Sequence, residues 1–281
     1  MKIITNRMEM QETIKNEKKA NQSIGFVPTM GFLHEGHQAL MRQARTENDI
    51  VVLSIFVNPL QFGPSEDFSR YPRDFDHDKE VAEAAGVDFV FYPTVAEIYP
   101  HEPSVTVKVE KRTNVLCGKS RPRHFNGVAT VLTKLFHIVQ PDRAYFGKKD
   151  AQQVAVVMGL IEDFHFPVEL RTVDIVREAD GLAKSSRNVY LTEEERKQAP
   201  ALYQSLLAAK ALFEKGEKSK AVLLSAIENE LKEKTNGEID YIDILTFPGL
   251  EDISILQGTC IIALAVKFSK ARLIDNIIIQ R

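Results

Sequence analysis

The chain contains Pro28-Thr29-Met30-Gly31-Phe32-Leu33-His34-Glu35-Gly36-His37 between an apolar run at 24–27 and a helix-like pattern at 38–45. The two glycines let the backbone turn tightly and approach a ligand closely. A strand, a glycine-containing turn and a helix N-terminus form an anion site, because unpaired N–H groups and the helix dipole both favour negative charge. This stretch therefore predicts a phosphate-binding turn in an α/β fold.

His34 and His37 lie where the predicted helix begins. Imidazole N–H groups can donate to a phosphate while its charge develops. A strand–helix turn with two surface histidines is the simpler interpretation, and so short a motif does not decide between the two.

The composition is that of an ordinary globular protein. A length of 281 residues predicts one or two domains, with 44% hydrophobic and 27% charged residues. The net charge of -3 gives no general attraction to nucleic acid or anionic membranes. The only cysteines, Cys117 and Cys260, form no C-x-x-C pair, so neither a disulfide framework nor a cysteine zinc site is expected.

The first 20 residues are rich in lysine and glutamate rather than apolar, so no signal peptide is expected. No apolar run is long enough to span a bilayer. These features predict a soluble, cytoplasmic protein that binds neither membranes nor nucleic acid. No residue is assigned as a metal ligand.

Strand-like and helix-like segments alternate as far as residue 176. The strand-like segments are 24–27, 50–56, 88–92, 144–146 and 168–176, and the helix-like segments are 38–46, 74–85, 128–139 and 150–164. Such alternation predicts a Rossmann-like, doubly wound parallel sheet with helices on both faces and a ligand crevice beyond the strand C-termini. His34 and His37 follow the first of these strands.

The pattern changes after residue 176. A capping box at 192–195 is expected to open one long helix that continues to Lys215, and a second helix is expected at 219–233. Three strand-like runs follow at 239–245, 259–268 and 272–279. Two helices followed by three strands predict a smaller α+β domain. We therefore expect domains at 1–176 and 177–281.

Two further stretches carry polar side chains suited to a substrate. Asn58 and Gln61 follow the second strand, although a turn capped by an amide is the simpler explanation. Arg121 and His124 lie in a basic stretch before a helix, which suits a phosphate or carboxylate but is also typical of a solvated loop.

The stretch 146–153 repeats the pattern of strand, glycine turn and helix start. Gly147 permits close backbone approach, and Lys148 or Lys149 could reach a phosphate. Asp150 could cap the helix and Gln153 could face the crevice or solvent. Residues 184–188 add a dense cluster of donors, formed by Lys184, Ser185, Ser186 and Arg187. A polar loop at a domain junction is common on its own.

An H-x-G-H motif near the start and a K-x-S-like loop near the end resemble the HIGH-like and KMSKS-like loops of the nucleotidyltransferase superfamily that includes class I aminoacyl-tRNA synthetases. The intervening stretches are more specific. They are P-T-M-G-F-L-H-E-G-H, F-V-N-P-L-Q-F, R-P-x-H-F-x-G-V-x-T-V, G-x-K-D-x-Q-Q and S-S-R-N-x-Y-L. In this order they closely resemble the pantoate–β-alanine ligases (pantothenate synthetases) over nearly the whole chain.

The resemblance implies a homodimeric ligase that joins pantoate to β-alanine with ATP and Mg²⁺, through a pantoyl adenylate, releasing AMP and pyrophosphate. Its implied catalytic residues are His37, His34 and Lys149. Its implied ATP-binding residues are Met30, Gly31, Phe32, Leu33, His34, Glu35, Gly36, His37, Gly147, Lys148, Lys149, Asp150, Val176, Lys184, Ser185, Ser186 and Arg187. Its implied substrate-binding residues are Gln61 and Gln153, with Asn58, Arg121 and His124 as weaker matches.

One residue departs from the family pattern, because many relatives have an apolar residue where this chain has Lys184. Two other functions remain open. A nucleotidyltransferase would stop at an adenylylated or cytidylylated product, and a non-catalytic protein would only bind nucleotide or RNA. Gln61, Gln153 and the second domain favour the ligase over the transferase. The near-neutral charge disfavours RNA, and the presence of His34, His37 and Lys149 disfavours an inactive protein.

Overall fold

The computed structural model describes residues 1–63 and 68–280. Contacts between Cα atoms divide the chain into two compact units. The first unit comprises Met1–Glu110, Arg121–Lys148 and Val156–Asp174, and the second comprises Lys111–Ser120, Lys149–Ala155 and Ile175–Arg281. The division of the chain into domains at 1–176 and 177–281 stays a prediction.

The first unit contains a sheet of six parallel strands. These are β1 (Lys2–Ile4), β2 (Ile24–Thr29), β3 (Ile50–Ile55), β4 (Phe89–Phe91), β5 (Arg143–Gly147) and β6 (Glu169–Val173). Their order across the sheet is β1-β4-β3-β2-β5-β6, and every neighbouring pair is parallel. From β2 the chain proceeds to β3 in one direction and later to β5 in the other. The C-terminal ends of β2 and β5 therefore flank the topological switch point, where open α/β sheets bind ligands.

Helices separate the strands of this unit, as the sequence predicts. They are α1 (Arg7–Lys19), α2 (Glu35–Glu47), α3 (Phe75–Ala84), α4 (Val95–Ile98) and α6 (His124–Val139), and α7 (Ala151–Asp163) contributes residues to both units. The apolar face of α2 buries Leu40, Met41 and Ala44 in a core that includes Val51 and Leu53 of β3. The Rossmann-like, doubly wound sheet is confirmed.

The second unit contains an antiparallel sheet with strand order β7-β8-β9. Its elements are α5 (Leu116–Ser120), α8 (Glu193–Gln198), α9 (Ala201–Glu214), α10 (Lys220–Lys234), β7 (Glu238–Thr246), β8 (Thr259–Lys267) and β9 (Arg272–Gln280). The small α+β arrangement is thus also confirmed. Strand β8 is apolar on both faces because alternate residues enter two cores. Ile262 and Leu264 pack with α9 and α10, while Ile261 and Ala263 pack with Leu116 of α5.

The prediction of one helix from the 192–195 capping box to Lys215 is wrong. The capping box is present, with reciprocal hydrogen bonds between Thr192 and Glu195. The helix nevertheless ends at Gln198, and a second one begins at Ala201 after Pro200. Proline has no N–H and its ring clashes with the preceding turn, so a helix breaks there.

Several other elements also differ from the prediction, among them β1, α1 and α6. Strand β1 and helix α1 lie in the first 20 residues, where the sequence suggested only a charged segment. Helix α6 begins at His124, one turn before the predicted start at residue 128. Within the described ranges, no helix combines the length and the apolar character needed to cross a membrane.

Candidate active site

Helix α2 begins at the H-x-G-H motif, and both histidines bind its backbone. His34 is the N-cap, and its Nδ1 atom accepts from the Gly36 N–H at 3.1 Å. The Nδ1 atom of His37 accepts from the His34 N–H at 3.2 Å, and the two ring centroids are 4.1 Å apart. A nitrogen that accepts from an N–H cannot itself be protonated, so each neutral ring carries its proton on Nε2. Each ring therefore carries an Nε2–H group close to the N-terminus of α2, and helix N-termini favour anions.

The turn that precedes these histidines is held by a carboxylate from α3. Asp78 is only 2% exposed, and its two oxygens accept from the backbone N–H groups of Phe32 (2.8 Å) and Leu33 (2.6 Å). Burial raises the pKa of the Asp78 carboxyl, although the two N–H bonds act against this rise. Gly31 has φ +83°, and a Cβ there would lie 2.8 Å from the Asp78 carboxylate. Glycine is therefore required for this conformation.

Asn58 and Gln61 lie on a single 3₁₀ turn after β3. Asn58 is fully buried and caps this turn, with its side-chain oxygen accepting from the Leu60 N–H. Its Nδ2 atom donates to Gln61 Oε1 and to Gly127 O, each at 3.0 Å. The turn is therefore attached to helix α6, which approaches so closely that a Cβ on Gly127 would lie 2.2 Å from Leu60 O.

Arg121 and His124 bind the same turn through its backbone. The main-chain oxygen of Gln61 accepts from His124 Nδ1 at 2.8 Å and from Arg121 Nη2 at 3.2 Å. Since His124 Nδ1 donates, its Nε2 atom carries the lone pair that faces Arg121 Nη1 at 3.3 Å. The first unit thus brings together four predicted substrate-binding residues, Asn58, Gln61, Arg121 and His124.

The adjacent residues Gln152 and Gln153 at the start of α7 differ in their contacts. Gln152 is buried, and its Nε2 atom donates to the main-chain oxygens of Arg112 and Val115, each at 2.8 Å. Its Oε1 atom accepts from the Gly118 N–H at 3.3 Å. Gln153 is half-buried. Gln152 is therefore a structural residue of the second unit, and the side chain of Gln153 is not committed to that network.

The lysines after Gly147 fall on either side of the division between the two units. Lys148 belongs to the first unit and forms an ion pair with Asp174, with Nζ and Oδ1 2.6 Å apart. Lys149 belongs to the second unit, and its main-chain oxygen accepts from Asn276 Nδ2 at 2.9 Å. Residues 148–150 form a 3₁₀ turn that leads directly into α7.

Lys149 lines a small cleft within the second unit. Ser185, Asn188 and Asp275 are also among its lining residues. Asp275 is 3% exposed and binds both terminal nitrogens of Arg177, at 2.6 and 2.9 Å. The cleft therefore brings Lys149 together with part of the predicted Lys184–Arg187 cluster.

The Lys184–Arg187 cluster begins at the end of the second strand of a short antiparallel hairpin. Lys184 donates its backbone N–H to Val176 O at 2.9 Å, and residues 177 and 183 form an antiparallel bridge. The Lys184 ammonium pairs with Glu178, with Nζ and Oε2 2.9 Å apart. Lys184 is the residue that departs from the family pattern, and Glu178 balances its charge. Ser186 is buried, and the Arg187 N–H donates to Ser185 Oγ at 3.3 Å.

Comparison with known proteins identifies the family. A model of the pantoate–β-alanine ligase family matches residues 2–278. The pantothenate synthetase of Bacillus cytotoxicus is 59% identical over 277 residues, covering 99% of this chain and 98% of the relative. That of Geobacillus thermodenitrificans is 60% identical over 279 residues, covering 99% of this chain and 96% of the relative. The chain belongs to the pantoate–β-alanine ligase family.

Solved structures of the family have the same fold as this chain. The pantothenate synthetase of Thermus thermophilus is 47% identical, with a TM-score of 0.93 over 99% of both chains. A pantoate–β-alanine ligase from Francisella tularensis, complexed with beta-gamma ATP and β-alanine, is 34% identical. Its TM-score is 0.80 over 99% of this chain and 97% of that one. The chain is thus an enzyme of this family, whose reaction is the ATP-dependent condensation of pantoate with β-alanine.

Sequence reasoning missed residues that support the candidate site, among them two buried carboxylates. Asp78 lies on the buried face of α3 with Ala82, so a carboxylate within an apolar stripe was the available signal. Asp275 lies in the apolar strand β9 and was an equivalent signal. A buried carboxylate needs hydrogen-bond partners. Here the partners of the two carboxylates are the turn before His34 and the Arg177 guanidinium.

Proposed function

We propose that this chain makes pantothenate in two steps, with pantoyl adenylate as the intermediate. The observation that best supports this is the pair of Nε2–H donors of His34 and His37 at the N-terminus of α2. Donors of this kind stabilise negative charge that develops on a phosphoryl group. A ligase that activates a carboxylate with ATP needs such stabilisation in its first step.

In the proposed first step, a carboxylate oxygen of pantoate attacks the α-phosphorus of ATP. The bond from that phosphorus to the oxygen bridging the β-phosphorus breaks, and pyrophosphate leaves. The product is a mixed anhydride with a good leaving group. Because the reaction is an in-line displacement, the protein contributes mainly positioning and neutralisation of charge.

We propose ATP-binding roles for the residues that the family resemblance implies. They are Met30, Gly31, Phe32, Leu33, His34, Glu35, Gly36, His37, Gly147, Lys148, Lys149, Asp150, Val176, Lys184, Ser185, Ser186 and Arg187. His37, His34 and Lys149 are proposed to contact the reacting phosphates. Mg²⁺ is proposed to enter with ATP, since this ion is bound largely by phosphate oxygens and water in such enzymes. Among residues 1–63 and 68–280, no group of three or more His, Cys, Asp or Glu side chains could hold a metal ion.

Pantoate is proposed to bind Gln61 and Gln153, with Arg121 and His124 as further substrate-binding residues. Asn58 is fully buried, so its proposed role is exerted through Gln61. A neutral amide can bond hydroxyl and carboxylate oxygens without competing with phosphate for Mg²⁺. β-Alanine is proposed to bind next to pantoate, where Gln61 meets its carboxylate.

In the proposed second step, the neutral amine of β-alanine attacks the acyl carbon of the adenylate. The bond from that carbon to the phosphate oxygen breaks, AMP leaves, and the nitrogen loses a proton to form the amide. The adenylate must be kept from water in the meantime.

A homodimer in the cytoplasm is also proposed. The dimer is supported by resemblance to the family alone, and light scattering would test it. The two cysteines, Cys117 and Cys260, are both free thiols, as is usual in a reducing compartment.

A coupled assay for AMP tests the proposed function. With ATP and pantoate alone, we expect no turnover. When the enzyme is then denatured, it should release no more than about one equivalent of AMP per active site. Added β-alanine should start continuous release of AMP and formation of an amide in equal amounts. Continuous AMP release without β-alanine, or formation of ADP instead of AMP, would contradict the proposal.

A further inference from the structure

The side chain of Asn58 is held in one orientation by two backbone groups. Its Oδ1 atom faces the Leu60 N–H at 3.3 Å, and its Nδ2 atom faces Gly127 O at 3.0 Å. An N–H group can only donate and a carbonyl oxygen can only accept. The amide of Asn58 therefore cannot be reversed without breaking both bonds.

This orientation determines how two further side chains bind Asn58. The Tyr99 hydroxyl lies 2.9 Å from Asn58 Oδ1, so it must donate to that oxygen. Burial raises the pKa of the Tyr99 hydroxyl well above its usual value, so the proton is retained. Gln61 lies 3.0 Å from Asn58 Nδ2, which donates, so Gln61 must turn its Oε1 atom toward Asn58.

The opposite end of the Gln61 amide is then its Nε2 group, with two N–H donors. No protein acceptor among the described residues bonds this nitrogen, and the residue is 8% exposed. The main-chain oxygen of Gln61 is bound by Arg121 and His124, which restrains the backbone of the turn. A ligand that reaches the Gln61 side chain therefore meets donors from a restrained group.

We propose that Gln61 binds its substrate as a donor only, selecting an oxygen acceptor of the hydroxy acid, and that Tyr99 is a positioning residue that maintains this polarity through Asn58. The inference rests on the proposed function in that pantoate is taken as the ligand of Gln61. The group that Gln61 meets is a carboxylate or hydroxyl oxygen. The ammonium group of β-alanine, which has no acceptor, is excluded from this contact.

A double-mutant cycle tests the role of Tyr99. Tyr99→Phe removes the hydroxyl and should weaken pantoate binding on the order of 3- to 10-fold, the effect of one hydrogen bond. ATP affinity should not change. In a Gln61→Ala background the same Tyr99→Phe change should have no further effect on pantoate, because Tyr99 acts through Gln61. Tyr92→Phe is the matched control, since Tyr92 is exposed and stacks on Phe75.

The inference is overturned if Tyr99→Phe weakens ATP and pantoate equally, or has its full effect on pantoate without the Gln61 side chain. If the wild type binds pantoate and Tyr99→Phe binds it equally well, the inference is also overturned. The proposed function would still stand in that case. If the wild type binds no pantoate in calorimetric titration, the proposed function itself fails. These two failures are therefore distinguishable.

A comparison of Asn58→Asp with Asn58→Ala tests the polarity. Once it is ionised at high pH, the carboxyl introduced by Asn58→Asp can only accept, so Gln61 would turn Nε2 toward it and Oε1 toward the substrate. Pantoate should then bind more weakly than in Asn58→Ala, where the Gln61 amide can rotate freely. The comparison is made on variants whose ATP affinity matches that of the wild type, which shows that the unit is folded. Equal or tighter pantoate binding by Asn58→Asp would contradict the donor-only assignment.

Discussion

The Nδ1 atom of His37 accepts a hydrogen bond from the backbone N–H of His34, at a distance of 3.2 Å. This bond completes a capping box in which the His34 ring binds the backbone further along the helix. The histidines therefore have two roles that can be separated by experiment. They cap helix α2, and their Nε2–H groups are proposed to stabilise charge on the transferring phosphoryl group.

Replacing His37 with alanine should lower turnover on the order of 10²- to 10³-fold, the usual effect of losing one transition-state donor. The lost cap should lower the free energy of unfolding by only about 1 kcal/mol. Steady-state kinetics and urea unfolding measure the two effects. His101→Ala is the control, because His101 is exposed. A near-normal rate for His37→Ala would remove this residue from the reaction.

Gln152→Ala should lower the melting temperature, whereas Gln153→Ala should lower the affinity for pantoate. Gln152→Ala removes three hydrogen bonds to the segment 112–118, so the melting temperature should fall. Gln153→Ala should leave the melting temperature nearly unchanged and weaken pantoate binding while ATP binding stays near normal. Differential scanning calorimetry and titration of each substrate make the comparison. If ATP affinity falls as much as pantoate affinity in Gln153→Ala, the amide belongs to the nucleotide site.

Lys149→Ala should slow adenylation more than it weakens pantoate binding, because its charge is proposed to neutralise polyphosphate. Lys148→Ala should have a mild effect, since Lys148 forms an ion pair with the exposed Asp174. Pyrophosphate exchange into ATP, in the presence of pantoate, measures the adenylation step alone. If Lys148→Ala proves the more severe change, the assignment of the G-x-K-D lysine is off by one residue.

Asp78→Ala should weaken ATP binding without removing any group proposed to contact ATP. The change removes the hydrogen bonds that Asp78 accepts from the Phe32 and Leu33 N–H groups, so the turn before His34 is less restrained. Calorimetric titration of ATP should show a fall in affinity on the order of tenfold, as for lost hydrogen bonds to a charged group. Asp76→Ala on the exposed face of α3 is the matched control and should bind ATP normally. If both variants bind ATP with normal affinity, Asp78 contributes to folding but not to ATP binding.

The free energy of unfolding of the second unit should fall at low pH because Asp240 becomes protonated. Burial acts to raise the pKa of this carboxyl, but hydrogen bonds from Lys267, Arg272 and Ser120 outweigh it and lower the pKa to about 2. The stabilisation is therefore present above the ordinary value of 3.8 and is lost as the pH falls through about 2. Urea unfolding of wild type and Asp240→Asn should differ by about 2 kcal/mol near neutrality. A gap that stayed constant down to the lowest pH reached would contradict this.

The alternating pattern predicted the sheet because each buried strand carries a continuous apolar run bounded by turn residues, as in Ile50–Ile55. The same pattern failed at β1, since Lys2–Ile4 is too short to show a period and is defined only by its pairing with β4. The break at Pro200 was visible in the sequence, but the strong capping box before it favoured one continuous helix.

The candidate site was predictable where a motif lies within one turn, as for His34 and His37. It was not predictable where a partner comes from a distant segment. Tyr99 binds Asn58 across 41 positions, and Asp78 binds Leu33 across 45. The sequence likewise could not tell Gln152 from Gln153, because only the packing of the segment 112–118 buries one of them.

The most direct test of the central claim follows an isotope from pantoate into the products. Pantoate labelled with ¹⁸O in its carboxylate is incubated with the enzyme, ATP and β-alanine, and the products are analysed by mass spectrometry. If the carboxylate attacks the α-phosphorus, each turnover transfers one ¹⁸O atom to AMP and leaves pyrophosphate unlabelled. Unlabelled AMP, or ¹⁸O in inorganic phosphate with release of ADP, would contradict the account.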